Sequence, residues 1–493
     1  MKKWMLVLLV CLLFAMPMSA QAAETASDIT DSVTKTDQQG FSKARVIYDR
    51  NQLSTAVIAD GSYLTLEYPE GIGSLYLIFD LEYPGYTVIN NDTGAESRWG
   101  EKGFLHEFVD LEATFGSAPK SVTIRFDSGR AQLNELYVFS SGEAPDFVQK
   151  WEAPAEGKTD LVLFSAHGDD EQLFFAGVLP YYAGELGYEV QVVYLTDHRN
   201  RTMDRCHEML NGLWAVGVRN YPVFGSYGDF LTSTGEKAMA IYSRKKITEE
   251  EMVGFVVEQL RRFRPMVAVG HDILQGEYGH GMHILYSQLL ARALEISNDP
   301  QQYPEIAEQY GVWDVPKTYL HLWPENEIVM DWDQPLKAFD GQTAFQVTKY
   351  RGYPCHASQY DDFAWYLTPF ATAASVEKYN PCYYGLYRST VGPDVQKQDF
   401  FENVKTHARQ AEDADSARDE SRLEEVRAAI QQAELPFAET KPEPTQPVPT
   451  APETENRREL KQGVDKMTII YVVIFGIFAA IAAEIITIRR REK

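Results

Sequence analysis

Three consecutive carboxylates follow a histidine and a glycine in the stretch HGDDE at 167–171. Imidazole nitrogen and carboxylate oxygen are both good zinc ligands, so a histidine and an aspartate three residues apart can bind one cation. On this interpretation His167 and Asp170 are metal ligands, and Asp169, which points elsewhere, is left free as a base. The alternative is that the acids only complement the dipole of a helix starting there, which gives no reason for His167.

Two further histidines, His280 and His283, lie three residues apart in the glycine-flanked stretch GHGMH. This spacing places both imidazoles on one side of a first helical turn. His283 would complete a ligand set with His167 and Asp170 that leaves an open tetrahedral position for water. Zinc-bound water has a pKa of about 7, so Asp169 could accept its proton, and His280 could protonate the leaving amine. Histidines are common at helix caps, so the prediction depends on both clusters together.

Both clusters follow strands of one predicted sheet. The unbroken apolar run before His167 is typical of a strand buried on both faces, and a second such run at 266–270 precedes the other cluster. Alternating strand and helix patterns across 155–401 predict a Rossmann-like, mostly parallel α/β sheet, whose ligands bind beyond the carboxyl ends of the strands. Further strands are predicted at 190–195 and 221–224, and helices from about 172 to 186, at 203–216, at 249–263 and from near His283.

With these residues in view, the chain from about 160 to 358 resembles the PIG-L or LmbE-like family of zinc-dependent N-acetylglucosamine de-N-acetylases. That family has an Ala-His-Pro-Asp-Asp-Glu turn and a later Gly-His-Pro-Asp-His stretch, which correspond here to AHGDDE and GHGMH. The resemblance implies the ligands and base given above, with His280 as the acid or electrostatic partner. It also implies that Tyr278 helps to polarise the substrate carbonyl. The implied cofactor is Zn²⁺, with Fe²⁺ as the other possibility.

The same resemblance points to two substrate-binding residues. Arg205 matches an Arg-x-x-Glu helix, where it would contact sugar hydroxyls; a plain helix-face pair with Glu208 is an equal alternative. Gln359 belongs to a late His-x-Ser-Gln element and would line the pocket. Two positions depart from the family pattern: Gly168 replaces a proline, and Met282 replaces an aspartate that could tune His280. Four further histidines are interpreted as solvated or core residues, namely His198, His207, His271 and His321.

An antiparallel β-sandwich of jelly-roll type is predicted at 44–145, because short alternating strands there are separated by Pro, Gly and Asn turns. Trp99 with Tyr83 and Tyr86 could form a stacking platform for sugars, although aromatics in a small sandwich more often belong to its core. Outside a cell a disulfide between Cys355 and Cys382 is plausible.

The two ends of the chain predict export and anchoring. A basic start, an apolar core and a small-residue cleavage site indicate a signal peptide. A long apolar run near the other end, followed by arginines, predicts one membrane helix with a short cytoplasmic tail and an extracellular ectodomain. The predicted segments are a signal peptide at 1–22, a flexible leader at 23–43, a charged helical segment at 402–435, a Pro/Glu-rich stalk at 436–466, a transmembrane helix at 467–488 and a basic tail at 489–493.

A net charge of -25 argues against nucleic acid as a partner. The sequence therefore predicts an exported, membrane-anchored zinc deacetylase that hydrolyses the N-acetyl group of an N-acetylglucosamine-type sugar in a glycan or glycolipid. The alternative from another class is a surface glycan-binding or adhesion protein whose deacetylase-like domain is inactive. Hydrolysis of a different amide is a nearer alternative.

Overall fold

The computed structural model describes residues 25–197 and 204–433. The predicted signal peptide, stalk, membrane helix and basic tail lie outside these ranges. Within them, no helix combines the length and the apolar character needed to cross a bilayer.

The N-terminal part of the chain is an antiparallel β domain, with eight strands in the described residues. These are β1 (Thr34–Ser42), β2 (Ala56–Glu67), β3 (Ser74–Phe79), β4 (Tyr86–Asn90), β5 (Ala95–Trp99), β6 (His106–Asp110), β7 (Ser121–Phe126) and β8 (Ala131–Phe139). Their order is β5-β4-β7-β2-β8-β3-β6, with β1 paired to β2. Because β2 pairs with β7 through one half and with β8 through the other, both groups of strands contribute to one apolar core.

The flexible leader predicted at 23–43 is corrected by the structure. Strand β1 pairs antiparallel with β2, and Ile29 and Val33 just before it are buried. The sequence of β1 is polar because it pairs with only one neighbouring strand and is held by backbone hydrogen bonds. A search for alternating apolar residues therefore misses it, and the β domain begins before residue 44.

The aromatic residues proposed as a sugar platform belong to the core of this domain. Tyr83 and Tyr86 are buried, and Trp99 packs against the same cluster. These residues therefore do not form the stacking platform, which was the less favoured possibility, and the favoured alternative of packing in or against the core is confirmed.

The second sheet is mixed but mostly parallel, as predicted. It contains β9 (Leu161–Ser165), β10 (Val190–Thr196), β11 (Val223–Tyr227), β12 (Val267–Gly270), β13 (Lys317–His321), β14 (Glu327–Val329) and β15 (Tyr383–Ser389). Among the described residues their order is β11-β10-β9-β12-β13-β15-β14, and only β15 runs antiparallel to its neighbours. The chain goes from β9 outward to β11 and then returns to β12 on the other side. The carboxyl ends of β9 and β12 therefore flank the topological switch point, where ligands bind in such folds.

Helices cover both faces of this sheet. Alternate residues of β9 belong to two different cores: Leu161 and Leu163 to one, Val162 and Phe164 to the other. Burial on both faces explains the unbroken apolar run. In the described residues the α-helices of the whole chain are α1 (Leu111–Phe115), α2 (Asp170–Leu173), α3 (Asp204–Ala215), α4 (Gly235–Arg244), α5 (Glu249–Phe263), α6 (Gly281–Ile296), α7 (Pro304–Tyr310), α8 (Ala344–Val347), α9 (Tyr360–Leu367) and α10 (His407–Ala433).

The helix predicted to run to about residue 186 is interrupted after α2. Gly177 has φ +103°, and a Cβ built there would lie 2.3 Å from the ring of Trp332. Only glycine fits both the left-handed backbone and the close ring. The chain resumes as a π-helix at Pro180–Glu185.

The predicted disulfide is not formed. Cys206, Cys355 and Cys382 are all free thiols. The Cys355 Sγ–H donates to the carbonyl of Arg351 at 3.2 Å, while Cys382 is buried in the core of the α/β domain. Cys355 and Cys382 therefore lie in different surroundings and are not bonded to each other.

Candidate metal centre and active-site cavity

Two loops bring the predicted ligands together at the switch point. His167 lies two residues beyond β9, and Asp170 begins α2. After β12, a short 3₁₀ turn leads to His280, which is the N-cap of α6, so that His283 lies in the first turn of that helix. Since β9 and β12 are adjacent and parallel, both loops leave the same edge of the sheet.

His167, Asp170 and His283 converge on one point. The Nδ1 atom of His167 lies 3.0 Å from Oδ2 of Asp170 and 3.1 Å from Nε2 of His283, and the last two atoms are 3.3 Å apart. Around a tetrahedral zinc ion with ligands at about 2.0–2.1 Å, the ligand atoms are separated by about 3.3–3.4 Å. Three donor atoms with nearly equal separations close to this value suit a small divalent cation.

The other nitrogen of each imidazole faces a carboxylate. His167 Nε2 lies 3.2 Å from Oδ1 of Asp229, and His283 Nδ1 lies 2.7 Å from Oε2 of Glu277. A carboxylate on the far side of a metal-binding histidine fixes the tautomer and the orientation of the ring. The donor set thus has the supporting groups that metal-binding histidines need, and it fits a bound metal.

Glu277 accepts hydrogen bonds from three buried histidines. Its Oε2 accepts hydrogen bonds from Nδ1 of His283 at 2.7 Å and from Nδ1 of His271 at 3.0 Å. Its Oε1 accepts a hydrogen bond from Nδ1 of His321 at 2.6 Å. His271 also accepts the backbone N–H of Ala166 through Nε2 at 3.0 Å, so both of its nitrogens are already used. His271 and His321 are therefore core histidines, as predicted, and they hold Glu277 in place.

The charges at the site favour an ionised Asp170. Burial would raise the pKa of this carboxyl, but His283 and His167 outweigh burial and hold it well below its ordinary value. Burial would lower the pKa of His167, but Asp170 and Asp229 outweigh it and raise that pKa to about 10. The carboxylates of Asp170 and Asp229 therefore make this pocket attractive to a cation.

Asp169 lies beside the donor set. It is 5% exposed and lines the cavity, and burial raises the pKa of its carboxyl, while Arg205 acts in the opposite direction. Its Oδ1 lies 3.6 Å from Nη2 of Arg205. A buried carboxylate with a raised pKa, next to a metal site but outside the donor set, has the properties of a general base.

Arg205 forms the helix-face pair with Glu208 that the sequence offered, and it also lines the cavity. Its Nη1 lies 3.6 Å from Glu208. Glu208 in turn accepts the backbone N–H and the hydroxyl of Ser358, both at 2.7 Å. Helix α3 is therefore connected to the loop that carries Ser358 and Gln359 into the cavity.

His280 presents one N–H to the site. Its Nδ1 accepts the backbone N–H of Met282 at 3.2 Å, so the ring hydrogen of the neutral form is on Nε2. Burial, with His167 and His283 nearby, lowers the pKa of His280 to about 3. This geometry favours the role of electrostatic partner over that of proton-carrying acid. Met282, in place of the family aspartate, is buried in the apolar core behind α6.

The cavity has a volume of about 430 Å³ and combines polar and apolar walls. Tyr278 and Gln359, both predicted from the family resemblance, lie in its lining. Tyr278 has φ +47°, an unusual backbone for a tyrosine, and burial raises the pKa of its hydroxyl. The other lining residues are His167, Asp169, Asp170, Leu173, Arg205, Asp229, Leu231, His280, Ser358 and Phe363.

The glycine that departs from the family pattern has a packing reason. A Cβ built on Gly168 would lie 2.1 Å from Sδ and 2.6 Å from Cγ of Met209 in α3. No side chain fits at residue 168 unless Met209 moves. A proline at residue 168 would therefore require Met209 to move, and His167 and Asp170 on either side of the glycine still lie 3.0 Å apart.

Asp229 and Glu277 were not predicted from the sequence. Asp229 lies two residues beyond β11, at the same edge of the sheet as His167. Because ligands bind beyond the carboxyl ends of such strands, the position of this acid after a predicted strand could have identified it as a site residue. Glu277 immediately precedes Tyr278, but nothing local distinguishes it from any other loop glutamate. Two of its three histidine partners lie six residues away and the third lies 44 residues away, and only the fold brings all three to one carboxylate.

Fold and site together define an α/β domain with a His–Asp–His metal-type donor set and a separate carboxylate at the switch point of a parallel sheet. Sequence comparison finds similar proteins in two Streptomyces species, and it confirms the resemblance to the PIG-L/LmbE-like de-N-acetylases. Both relatives are named 1D-myo-inositol 2-acetamido-2-deoxy-alpha-D-glucopyranoside deacetylase. The protein of Streptomyces scabiei (strain 87.22) is 27% identical over 192 residues, which is 34% of this chain and 57% of the relative.

The second relative, from Streptomyces avermitilis (strain ATCC 31267), is 28% identical over 184 residues, or 33% of this chain and 61% of the relative. The chain thus matches about 57–61% of the length of these curated relatives. No family model matches the chain. Among solved structures, the N,N'-diacetylchitobiose deacetylase from Pyrococcus horikoshii is 14% identical, with a TM-score of 0.34, over 47% of this chain and 84% of that one.

Proposed function

We propose that the α/β domain is a metal-dependent de-N-acetylase that hydrolyses the N-acetyl group of an N-acetylglucosamine-type sugar. The observation that carries this proposal is the convergence of His167, Asp170 and His283 on one point. The other nitrogen of each imidazole lies within hydrogen-bonding distance of a carboxylate, and Asp169 lies outside this donor set. The names of the two Streptomyces relatives, both deacetylases of an acetamido sugar, support the substrate class.

The residues of the chain have separate roles in the proposed reaction. A divalent ion held by the donor set, zinc or ferrous iron, would supply Lewis acidity toward water and the acetamide carbonyl. Asp169 removes a proton from the attacking water as the C–O bond forms, and that proton is then available to the nitrogen as the C–N bond breaks. The products are acetate and a free amine.

Two other groups stabilise the charge that develops on the carbonyl oxygen. The Nε2–H of His280 is directed by the hydrogen bond on Nδ1, and Tyr278 lies next to it, with ring centroids 5.3 Å apart. Donors fixed in advance toward a developing oxyanion are worth several kcal/mol, because they need no reorganisation. Arg205 and Gln359 line the same cavity and would bind sugar hydroxyls.

We also propose that this enzyme is exported and tethered to the cell membrane by one C-terminal helix, with the ectodomain outside. Support for this part comes from the signal-peptide pattern, the apolar run at 467–488 and the arginines that follow it. Its substrate would then be a glycan or glycolipid at the cell surface.

The test uses the full-length protein, purified and loaded with zinc, on a panel of N-acetylglucosamine conjugates, with acetate and free amine as readouts. We expect equal amounts of both products, loss of turnover after treatment with a chelator, and recovery when Zn²⁺ or Fe²⁺ is added back. Sugar binding without product release in the metal-loaded protein would instead support the glycan-binding alternative and overturn the proposal.

A further inference from the structure

Helix α3 contacts different parts of the molecule through two of its faces. Residues at i, i+4 and i+7, namely His207, Asn211 and Trp214, form one face. Arg205 and Glu208 lie on another face, three residues apart. The first face is directed to the β domain and to the segment that follows it, and the second face is directed to the active-site cavity.

The β domain makes a buried hydrogen-bonded contact with the first face. His106 of β6 and His207 are joined Nε2 to Nδ1 at 2.8 Å, and both side chains are almost fully buried. Tyr76 hydroxyl lies 2.7 Å from Nδ1 of His106, and Asn134 of β8 lies 3.4 Å from Nε2 of His207. The contact is therefore the centre of a chain of four polar groups that crosses between the two domains.

The two imidazoles are compatible only in their neutral form. Asn134 also donates to the carbonyl of Gln52 at 2.7 Å, which fixes its amide nitrogen toward His207. His207 Nδ1–H then donates to His106 Nε2, and His106 Nδ1–H donates to Tyr76. Burial lowers the pKa of His207 to about 4 and that of His106 well below its ordinary value, so each keeps a single ring hydrogen.

A second contact holds α3 one turn further along. Asn211 Nδ2 donates to Oε1 of Gln52 at 3.2 Å, and its Oδ1 accepts Nε2 of Gln149 at 2.6 Å. Trp214 donates to the carbonyl of Asp146 at 2.8 Å. Three successive positions on one face of α3 are thus held by groups from the β domain or from the segment just after it.

On its other face, α3 is part of the active site. Arg205 reaches Asp169, and Glu208 holds Ser358 through two hydrogen bonds. Gly212 lies so close to His356 that a Cβ there would be 2.8 Å from its Nε2. Helix α3 therefore packs directly against the segment that contains His356 and Ser358, and a shift of α3 would move Arg205 relative to Asp169.

We propose that the β domain positions the catalytic site through α3, and that His106 is a positioning residue for Arg205 by way of His207. This inference rests on the proposed deacetylase function and goes beyond it, because it makes the β domain a part of the catalytic unit. Errors of about 1 Å in the placement of a substrate-binding group can cost about 100-fold in rate.

The test replaces His106 by leucine in the full-length protein, which removes the hydrogen bond from the side of the β domain and changes no residue of the α/β domain. We expect kcat/KM to fall about 10- to 100-fold at a temperature well below the unfolding transition, with metal affinity unchanged. Amide hydrogen exchange in α3 should become faster, and this second readout is taken on metal-free protein and requires no substrate. In His106→Gln the amide oxygen can accept the hydrogen bond that His106 Nε2 accepts from His207. This variant should therefore retain most of the wild-type kcat/KM and most of the wild-type protection of α3 from exchange.

Two further variants separate positioning from general destabilisation. Val122→Ala removes buried volume from the core of the β domain on β7, whereas the contacts with α3 described above come from β6, β8 and Gln52. We expect this variant to have a lower thermal midpoint and an unchanged kcat/KM. In an Arg205→Ala background, His106→Leu should cause no additional loss of kcat/KM, because the residue on which it acts is gone.

The proposal is overturned if His106→Leu leaves α3 exchange and kcat/KM unchanged, or if its effect on kcat/KM is equally large without Arg205. An equal loss in His106→Gln would show that the hydrogen bond is not the contact that matters and would also overturn it. If the wild-type protein releases no acetate, the proposed function fails, whereas the exchange rates of α3 still decide whether His106 holds the helix.

Discussion

His283 and Glu277 are joined by a 2.7 Å hydrogen bond from Nδ1 to Oε2, on the side of the imidazole opposite to its metal-facing nitrogen. The same carboxylate receives His271 and His321, so one buried acid organises three imidazoles. All four side chains are fully buried. The candidate ligand His283 is therefore held by three side chains that are not among the lining residues of the cavity.

Glu277→Gln should weaken metal binding by about 10- to 100-fold. A glutamine has one acceptor oxygen, and its NH₂ group would face an imidazole N–H. We expect this loss in a competition titration of zinc against a chromophoric chelator. Glu236→Gln, at an exposed position of α4, is the matched control and should bind metal like the wild type. Unchanged affinity in Glu277→Gln would contradict the assigned function of this residue.

Asp169→Asn should retain the metal and lose about 10²- to 10⁴-fold in turnover, because the amide has nearly the same shape but cannot accept a proton. His167→Ala should lose both the metal and the activity, because it removes one of the three donor atoms. Metal content by elemental analysis and acetate release, measured on the same samples, distinguish the two. Full activity in Asp169→Asn would exclude this carboxylate as the base.

Gly168→Ala should lower stability by about 1–3 kcal/mol, because the new methyl group overlaps Met209. The double variant Gly168→Ala with Met209→Ala should be more stable than the sum of the two single effects predicts. Chemical unfolding of the four proteins in a double-mutant cycle measures this coupling. Strict additivity would show that the two positions do not compete for space.

Acid should destabilise the contact between His106 and His207. The pKa of His207 is about 4 in the folded protein, below its ordinary value of 6.5, because burial disfavours the charged form. The unfolded chain therefore binds more protons between these values, so stability falls as pH falls through this window, by about 2 kcal/mol between pH 7.5 and pH 5.

The variant that carries both His106→Leu and His207→Leu should lack this contribution, and its unfolding midpoint should depend less on pH than that of the wild type. Glu107 and Glu135, whose pKa values burial raises to about 7, act in the opposite direction. Both are present in wild type and variant, so their effects cancel in the comparison. Parallel pH dependences of the two midpoints would contradict the prediction.

Local features of the sequence were enough to predict the ligand set. His167 and Asp170 are three residues apart at the end of an apolar strand, and His283 follows another such strand, so each half of the site is encoded within a few residues. Parallel strands of one sheet end at the same edge, and this general rule was sufficient to bring the two halves together.

Patterns based on apolar residues failed where backbone or steric contacts decide the structure. Strand β1 is polar and is held by main-chain pairing with β2. The predicted helix is interrupted after α2, where Gly177 has a left-handed backbone and lies against the ring of Trp332. Tyr83 and Tyr86 are found in the core of the β domain, where their large apolar surface is best buried.

The sequence by itself determined the two motifs, the parallel sheet that brings them to one edge, and the position of the carboxylate that we propose as the base. Only the tertiary structure decided which acids support the ligands, that Gly168 accommodates Met209, and that the β domain contacts the helix of Arg205. The reason is physical: ligand spacing and strand burial are short-range properties of consecutive residues. A hydrogen bond such as that between His106 and His207 joins residues 101 positions apart and exists only once both domains are folded.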